Sequence, residues 1–447
     1  MKADCGRRPE VIQEIPDESW RYDTVPFLQN RTLNTISGPG NSMNQRAPVL
    51  LLGMSATGLG ALRLLGRAGV TCYGVDDHGR TPAYWSRYCR HGICLPAGAD
   101  DDDIMKVLDD FSTRAPIPPV LLPTSDRFVR FVSSRREQLD SRYQLLLPDH
   151  ELVEDLLDKQ RFAQCAQVGG AAVPRSVALR GLGELPSLTG HLALPIILKP
   201  ACTEHRSEFV IPKVILLERE EEFAATLDRY SACNGVPFLA QEYIPGGDRQ
   251  HLSVAVCLDR RSEVVATFTA RKNRQGNLGA GVGTYVERFQ DAEAEQSATA
   301  LLRSLKYVGV AEVEFKRHAH TGRLYVIEVN PRVWTQVALP GACGLNYPLM
   351  FYCLATGLPL PTAQVTQRRI AWQSLWDDFY NTFRRGGYRE AGMVSRWQWL
   401  RQTAQAHVGP FWNLHDPVPA LVQLLEVARQ VVRRPVRRGL DSKRSVR

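Results

Sequence analysis

Between residues 310 and 330 the chain reads VAEVEFKRHAHTGRLYVIEVN, two alternating runs joined by a short polar turn. Successive residues of a strand point to opposite faces. Val310, Glu312, Glu314 and Lys316 therefore share one side of the first run, and Ala311, Val313 and Phe315 share the other. On the return run the same rule groups Leu324, Val326, Glu328 and Asn330 against Tyr325, Ile327 and Val329. Paired as a hairpin, the two runs converge Glu314, Glu328 and Asn330 on one point, with Glu328 and Asn330 about 7 Å apart by strand rise. Carboxylates with a neutral amide oxygen are hard ligands suited to Mg²⁺, and they leave room for phosphate oxygens and water. The apolar neighbours of Glu328 in YVIEVNPR imply a strand covered on both faces, where a carboxylate needs a partner. Glu312 taken alone reads as a solvated acidic residue. His318 and His320 have no carboxylate cluster or cysteine at ligand spacing, and read as turn caps.

Cationic residues stand at places that suit an anionic substrate. Lys199 closes the apolar strand LPIILK, where an ammonium needs an anion and a phosphate supplies one; a snorkelling strand-end lysine is the alternative. Arg332 follows Asn330 by two residues and suits transferring phosphoryl charge, or else a structural ion pair to Glu312 or Glu314. Arg271, Lys272 and Arg274 form a basic cluster after a strand, and alternation lets either Arg271 or Lys272 face a site, but not both. Gly276, Gly279, Gly281 and Gly283 in GNLGAGVGT offer either backbone N–H groups to an anion or a flexible hairpin loop.

The elements that must position these groups are legible along the chain. Residues 1–46, with SGPGNSMNQ, show no sustained period and read as a disordered leader. Val49–Leu52, the turn GMSATGLG, a helix through Leu59, Leu62 and Leu65, and a strand from 70 to 75 ending at Asp76 form a parallel α/β unit. Val120–Leu122 ends at Thr124, Ser125 and Asp126, the place where open α/β sheets bind ligands. A helix is expected over 152–167, strands over 195–199, 238–244, 252–258 and 264–270, and a helix over 295–307. A Trp-rich, mainly helical region spans 372–412, and 420–434 reads as an apolar helix before a charged tail. The expected boundaries are 1–46, 47–150, 151–360, 361–434 and a basic tail at 435–447.

Of 447 residues, 44% are hydrophobic and 23% charged, which suits a globular chain. The net charge is +8, yet residues 433–447 hold seven basic residues and one acid, so the body is nearly balanced and is not a footprint for nucleic acid. Prolines and glycines divide the longest uncharged stretch, 335–367, below the roughly 20 apolar residues of a span. Ten cysteines without a C-x-x-C pair, and MKADCGRRPE at the start, point to reduced thiols and a cytoplasmic protein. The tail with the helix before it suggests peripheral contact with an anionic membrane, although packing of that helix on the body is favoured.

Together these segments resemble the ATP-grasp superfamily of carboxylate–amine ligases, over about residues 150 to 350. DKQRF is similar to the segment carrying the nucleotide-binding lysine, here Lys159, and LPIILKP to the strand whose lysine, here Lys199, reaches the phosphates. FLAQEYIPGGD resembles the hinge that holds adenine, which implies base contacts from Glu242, Tyr243 and Ile244 and ribose contacts from Asp248 or Gln250. EVEF with IEVNPR resembles the metal signature, implying Glu314, Glu328 and Asn330 as Mg²⁺ (or Mn²⁺) ligands, with Arg332, Arg271 and Lys272 at the reacting group. The implied fold is α/β and α+β: a Rossmann-like pre-ATP-grasp domain, a two-lobed ATP-grasp fold and a helical C-terminal extension. ACTEHRSEFVIPK departs from the family in lacking glycine where many relatives carry a lid, which leaves Glu204, His205 and Arg206 as an unusual one.

The resemblance implies an ADP-forming ligase with ATP as cofactor, which activates a small carboxylic acid as an acyl phosphate and joins it to an amine. The DP-x-P motif at Asp416 to Pro419 adds a likeness to stand-alone ligases of the D-aspartate ligase type. Position alone makes Ser125, Asp126, Arg127, Gln336, Asn346 and Tyr347 candidates for substrate contact, and a homodimer is left open. Two rivals remain: an ATP-binding regulatory protein without turnover, and a nicotinamide-dependent oxidoreductase built on Gly53 to Asp76. The second is weakened by Arg63 where G-x-G-x-x-G requires glycine, and no Walker A triplet occurs.

Overall fold

A parallel sheet opens the described chain, and its runs Val49–Leu52 and Val120–Pro123 are apolar and buried throughout, as strands covered on both faces are. The computed structural model describes residues 46–433 except 80, 97, 189, 202–210, 234, 278–279, 367 and 385–386. The leader, residues 204–206 and the basic tail therefore lie outside the described residues. Strands β1 (Val49–Leu52), β2 (Cys72–Asp76), β3 (Cys89–Cys94) and β4 (Val120–Pro123) lie in the order β3-β2-β1-β4. Gly53, at φ +98°, turns the chain from β1 into the helix Ala56–Arg67, and a Cβ on Gly58 would stand 2.1 Å from the Gly53 carbonyl oxygen. Those two positions need glycine.

Two antiparallel sheets follow. The smaller holds β5 (Ser176–Leu179), β6 (Ile196–Pro200), β7 (Ile215–Leu217) and β8 (Phe238–Glu242) in the order β5-β8-β6-β7. The larger has seven strands: β9 (His251–Leu258), β10 (Val264–Asn277), β11 (Ala280–Arg288), β12 (Gly309–Arg317), β13 (Leu324–Asn330), β14 (Ala371–Gln373) and β15 (Ala406–Val408). Their order is β13-β12-β9-β10-β11-β14-β15. One core cluster joins the first sheet, the helix Tyr347–Thr356 and one face of β9–β11, while a second fills the space between the larger sheet and the helix Ala292–Ser304.

Three expectations are revised. The helix expected over 152–167 is two helices, His150–Leu157 and Lys159–Val168, because the Asp158 carboxylate accepts from the N–H groups of Gln160 and Arg161 and starts a new one. Strand β10 continues to Asn277, so the basic cluster stands within a strand rather than after it. The Trp-rich region contributes helices Leu375–Phe383 and Arg396–Ala404, and also β14 and β15 at the edge of the larger sheet.

Two buried carboxylates fasten this C-terminal region. Asp378 takes both ends of the Arg274 guanidinium at 2.7 and 2.8 Å, and accepts further bonds from Trp399, Gln373 and Thr284. Asp416, in the DP-x-P motif, accepts from Arg63 Nε at 2.8 Å, Ser86 Oγ at 2.7 Å and the Arg87 N–H at 2.9 Å. Arg63 also donates to the carbonyls of Pro410, Phe411 and Asp416. The residue that spoils the dinucleotide fingerprint is thus a structural tether, and so is the aspartate of the motif. Removing one member of such a pair strands a buried charge. Asp416→Ala is expected to lower the unfolding free energy by about 3–5 kcal/mol; a urea midpoint equal to that of the parent protein would contradict the assignment.

Candidate active site

The acidic hairpin forms as expected, with one change of phase. Glu314 stands opposite Glu328 and Asn330 opposite Glu312, but Phe315 pairs with Val326, so Ile327 is an extra residue on β13. This bulge reverses the alternation. Val326 and Leu324 join Phe315 in the core, contrary to the simple period, while Glu328 and Asn330 keep the face of Glu312 and Glu314. The four side chains form the floor of a cleft of about 300 Å³. Lys199 on β6, Gln241 on β8, Lys213 and Lys159 face it from the side of the smaller sheet, and Asp126 reaches it from the first turn of the helix after β4.

Burial forces every charge in this cleft to find a counterpart. Lys272 Nζ lies 2.7 Å from Glu314 Oε1, and Lys213 Nζ lies 3.6 Å from Glu328 Oε1. Burial alone would lower the Lys272 ammonium, but the carboxylates of Glu314 and Glu312 hold it above the ordinary lysine range. Glu328 is held down at about 2, first by Lys213 and then by Lys272, Lys199 and Lys159 against the cost of burial. Glu312 is pushed up to about 7 by burial and the neighbouring Glu314. It is buried and accepts from Asn330 Nδ2 at 3.2 Å, so its reading as a solvated residue is corrected. Lys199 donates to Gln241 Oε1 at 2.8 Å, and burial lowers its ammonium to about 8. Lys159 donates to the carbonyls of Pro200 and Ala201 at 3.0 and 3.3 Å.

Arg332 pairs with Asp126 at 2.5 Å rather than with either glutamate. Its Nη2 lies 3.4 Å from Asn330 Oδ1. Between the two residues offered by alternation the fold selects Lys272. Arg271 points through the opposite face of β10 to Glu287 at 2.6 Å, so its expected place at the reacting group is corrected. Gly281, Val282 and Gly283 also line the cleft, and Gln336 is held there by a bond from its Nε2 to the Gly283 carbonyl at 3.0 Å.

Other candidates are placed elsewhere. Asp248 is buried beside Gln275 Nε2 at 3.0 Å and the Tyr388 hydroxyl, away from the cleft, which corrects the ribose expectation. Glu242, Tyr243 and Ile244 lie where β8 ends and are not among the described residues lining the cleft. The N–H groups of Glu242 and Tyr243 are taken by the carbonyls of Arg175 and Pro195, and the Glu242 carboxylate accepts from the Arg175 N–H. Asn346 caps the helix Tyr347–Thr356, and Tyr347 is a core residue whose hydroxyl donates to the Ala255 carbonyl at 3.0 Å, so neither is a substrate contact. Ser125 caps the helix Asp126–Ser134, and Arg127 pairs with Asp77 at 2.5 Å. His318 accepts from the N–H groups of His320 and Thr321, the turn cap expected of it.

Asp76, Asp77 and His78 bring ligand atoms within 4.8 Å of one another at the end of β2. Asp76 is already engaged by the N–H groups of Met54 and His78, and Asp77 by Arg127. The ribose-binding carboxylate that a dinucleotide site needs is therefore committed to the turn. Lys213 and Gln241 were missed by sequence reasoning: Gln241 lies within the hinge segment FLAQEYIPGGD, whereas nothing in the local pattern marks Lys213.

Comparison with known proteins agrees with this architecture. Residues 284–363 match the carbamoyl-phosphate synthase L chain, ATP binding domain family. Acetyl-CoA carboxylase 2 of Oryza sativa subsp. japonica is 30% identical over 118 residues, which are 25% of this chain and 5% of that enzyme. Acetyl-CoA carboxylase 1 of Arabidopsis thaliana gives the same identity over the same length, also 5% of that enzyme. The chain thus spans a small fraction of these curated relatives. Among solved structures, N5-carboxyaminoimidazole ribonucleotide synthetase of Thermus thermophilus superposes with TM-score 0.56 at 19% identity, covering 72% of this chain and 82% of that one. Biotin carboxylase of Campylobacter jejuni gives 0.57 at 18%, covering 70% and 72%. L-amino acid ligase of Bacillus licheniformis gives 0.53 at 15%, covering 70% and 75%. The chain has the ATP-grasp fold, as the sequence resemblance implied. Among the described residues no helix is long and apolar enough to cross a membrane.

The lowered Lys199 has a consequence for stability. Between about pH 8 and the ordinary lysine range the folded chain binds fewer protons than the unfolded chain, so this residue makes stability rise with pH across that window. Lysine ε-carbon NMR titration is expected to give Lys199 a midpoint near 8 and Lys272 one above the ordinary lysine value; a single shared midpoint would remove the electrostatic asymmetry described for the cleft.

Proposed function

We propose that the chain is an ATP-dependent carboxylate–amine ligase. The observation that carries this reading is the two-sided charge of the cleft: Glu314, Glu328 and Asn330 on the floor, with Lys199, Lys213 and Lys159 facing them. Five cationic side chains and four carboxylates line it, one of which is pushed up to about 7. The donor set fits a hard divalent cation. Glu314, Glu328 and Asn330 would hold Mg²⁺, which when bound neutralises charge on phosphate oxygens. Lys213, with Lys272 behind it, keeps Glu328 ionised, the form that can ligate.

Lys199 and Lys159 would meet the nucleotide phosphates, and Leu156, Phe162, Val173, Leu239 and Ile327 give the cleft an apolar wall for the base. The substrate carboxylate attacks the γ-phosphorus, ADP departs, and an acyl phosphate forms. An amine then attacks the acyl carbon, phosphate leaves, and the nitrogen loses a proton. Arg332, oriented by Asp126, would face the transferring group. A smaller pocket of about 220 Å³ adjoins the cleft through Val282, Gly283 and Thr335 and presents Ser374, Asp377 and Asn381. Its carboxylate suits a cationic amine, so the acceptor would enter there.

The test is ADP formation from ATP and Mg²⁺ by the full chain, screened with pooled amino acids and small carboxylic acids. Substrate-dependent ADP is expected, with Glu328→Gln slowing it at least about 100-fold and Asp377→Asn raising KM for the amine without changing KM for ATP. Equal rates for Glu328→Gln and the parent protein would overturn the ligase reading; ATP binding without turnover in any pool would favour a regulatory role.

A further inference from the structure

The face of β10 and β11 opposite the cleft carries more positive charge than the fold consumes. Two adjoining concavities of about 540 and 560 Å³ share Arg249, Arg271, Glu287 and Arg369 among their walls. Arg288 and Arg368 complete the second. Glu287 is almost fully buried and already takes two guanidiniums, Arg271 at 2.6 Å and Arg369 at 2.6 and 3.1 Å. Burial would raise its carboxyl, but the bonds from Arg271, Asn273 and Arg369 hold it below the ordinary range. Glu287 and Asp248 are the carboxylates among the residues lining the two concavities, against six guanidiniums of which Arg274 is taken by Asp378.

Two further observations point to a ligand rather than a solvated patch. The Arg271 guanidinium is fixed 4.1 Å over the Phe289 ring, yet its Nε is buried with no hydrogen-bond partner among the described residues. Arg249 and Arg368 are exposed and make no side-chain hydrogen bond or ion pair among the described residues. Unpaired like charges repel one another across a shared depression, whereas arginines that serve only solubility gain by standing apart. Planar guanidinium forks match the oxygens of phosphates and carboxylates two at a time.

We propose that the depression built on Arg249, Arg271, Arg368 and Arg369 is a binding site for a small, multiply charged anion, separate from the cleft. Phosphate-bearing and polycarboxylate molecules share the required chemistry. No described residue lines both this site and the cleft, and on β10 the neighbours Arg271 and Lys272 point to opposite faces, one into each.

The test uses the full chain and two probes, pyrophosphate and citrate, followed by isothermal titration calorimetry. Arg249→Glu with Arg368→Glu reverses two charges whose side chains hold nothing in the fold, so the variant is expected to melt like the parent. Binding of at least one probe below about 1 mM, weakened at least about tenfold in that variant and within twofold of the parent in Lys199→Ala, is the expected result. The probe bound more tightly tells a phosphate-bearing ligand from a polycarboxylate. Loss of binding in Lys199→Ala with retention in the arginine variant would place the anion in the cleft and overturn the proposal. Failure of both probes to bind would overturn it as well.

Discussion

A charge withdrawn from water must be met by another charge or a full set of hydrogen bonds, and the rest of this molecule is arranged around that requirement. Lys272 and Glu314 meet at 2.7 Å between two strands of the larger sheet that are not neighbours, with β9 between them. Their contact fixes which face of β10 looks into the cleft. It therefore also fixes that Arg271 looks away, toward Glu287. Lys213 answers Glu328, Asp126 answers Arg332, and Asn330 answers Glu312. The pairs join three parts of the chain at one place, and the lysines among them hold Glu328 ionised.

The C-terminal region obeys the same rule at two other points. Asp378 and Asp416 are nearly inaccessible, and each is surrounded by donors drawn from distant parts of the chain. Their geometry explains why a segment of short helices with many exposed aromatic residues is nonetheless continuous with the larger sheet. A lost donor there leaves a buried carboxylate without compensation, which costs more than the bond itself contributes.

Much of this was legible along the sequence, for reasons that are local. An apolar run such as Val49–Leu52 reads as a strand covered by other elements. The alternation in AEVEF separates acid from core before any pairing is known. Departures from expectation have local causes too. Asp158 breaks one helix into two by capping, and Ile327 shifts the phase of β13 by a bulge that no period reveals.

The sequence by itself determined the acidic hairpin and the presence of Lys199 at a strand end, because strand period and apolar continuity are properties of neighbouring residues, while the ATP-grasp architecture was implied by the resemblance of its motifs to a known family. Only the tertiary structure decided between Arg271 and Lys272, brought Lys213 to Glu328, and turned Arg63, Asp248, Asn346 and Tyr347 from candidate or anomalous residues into parts of the scaffold. Those outcomes depend on which charges become buried together, and burial is set by contacts between residues far apart in the chain, which no local pattern records.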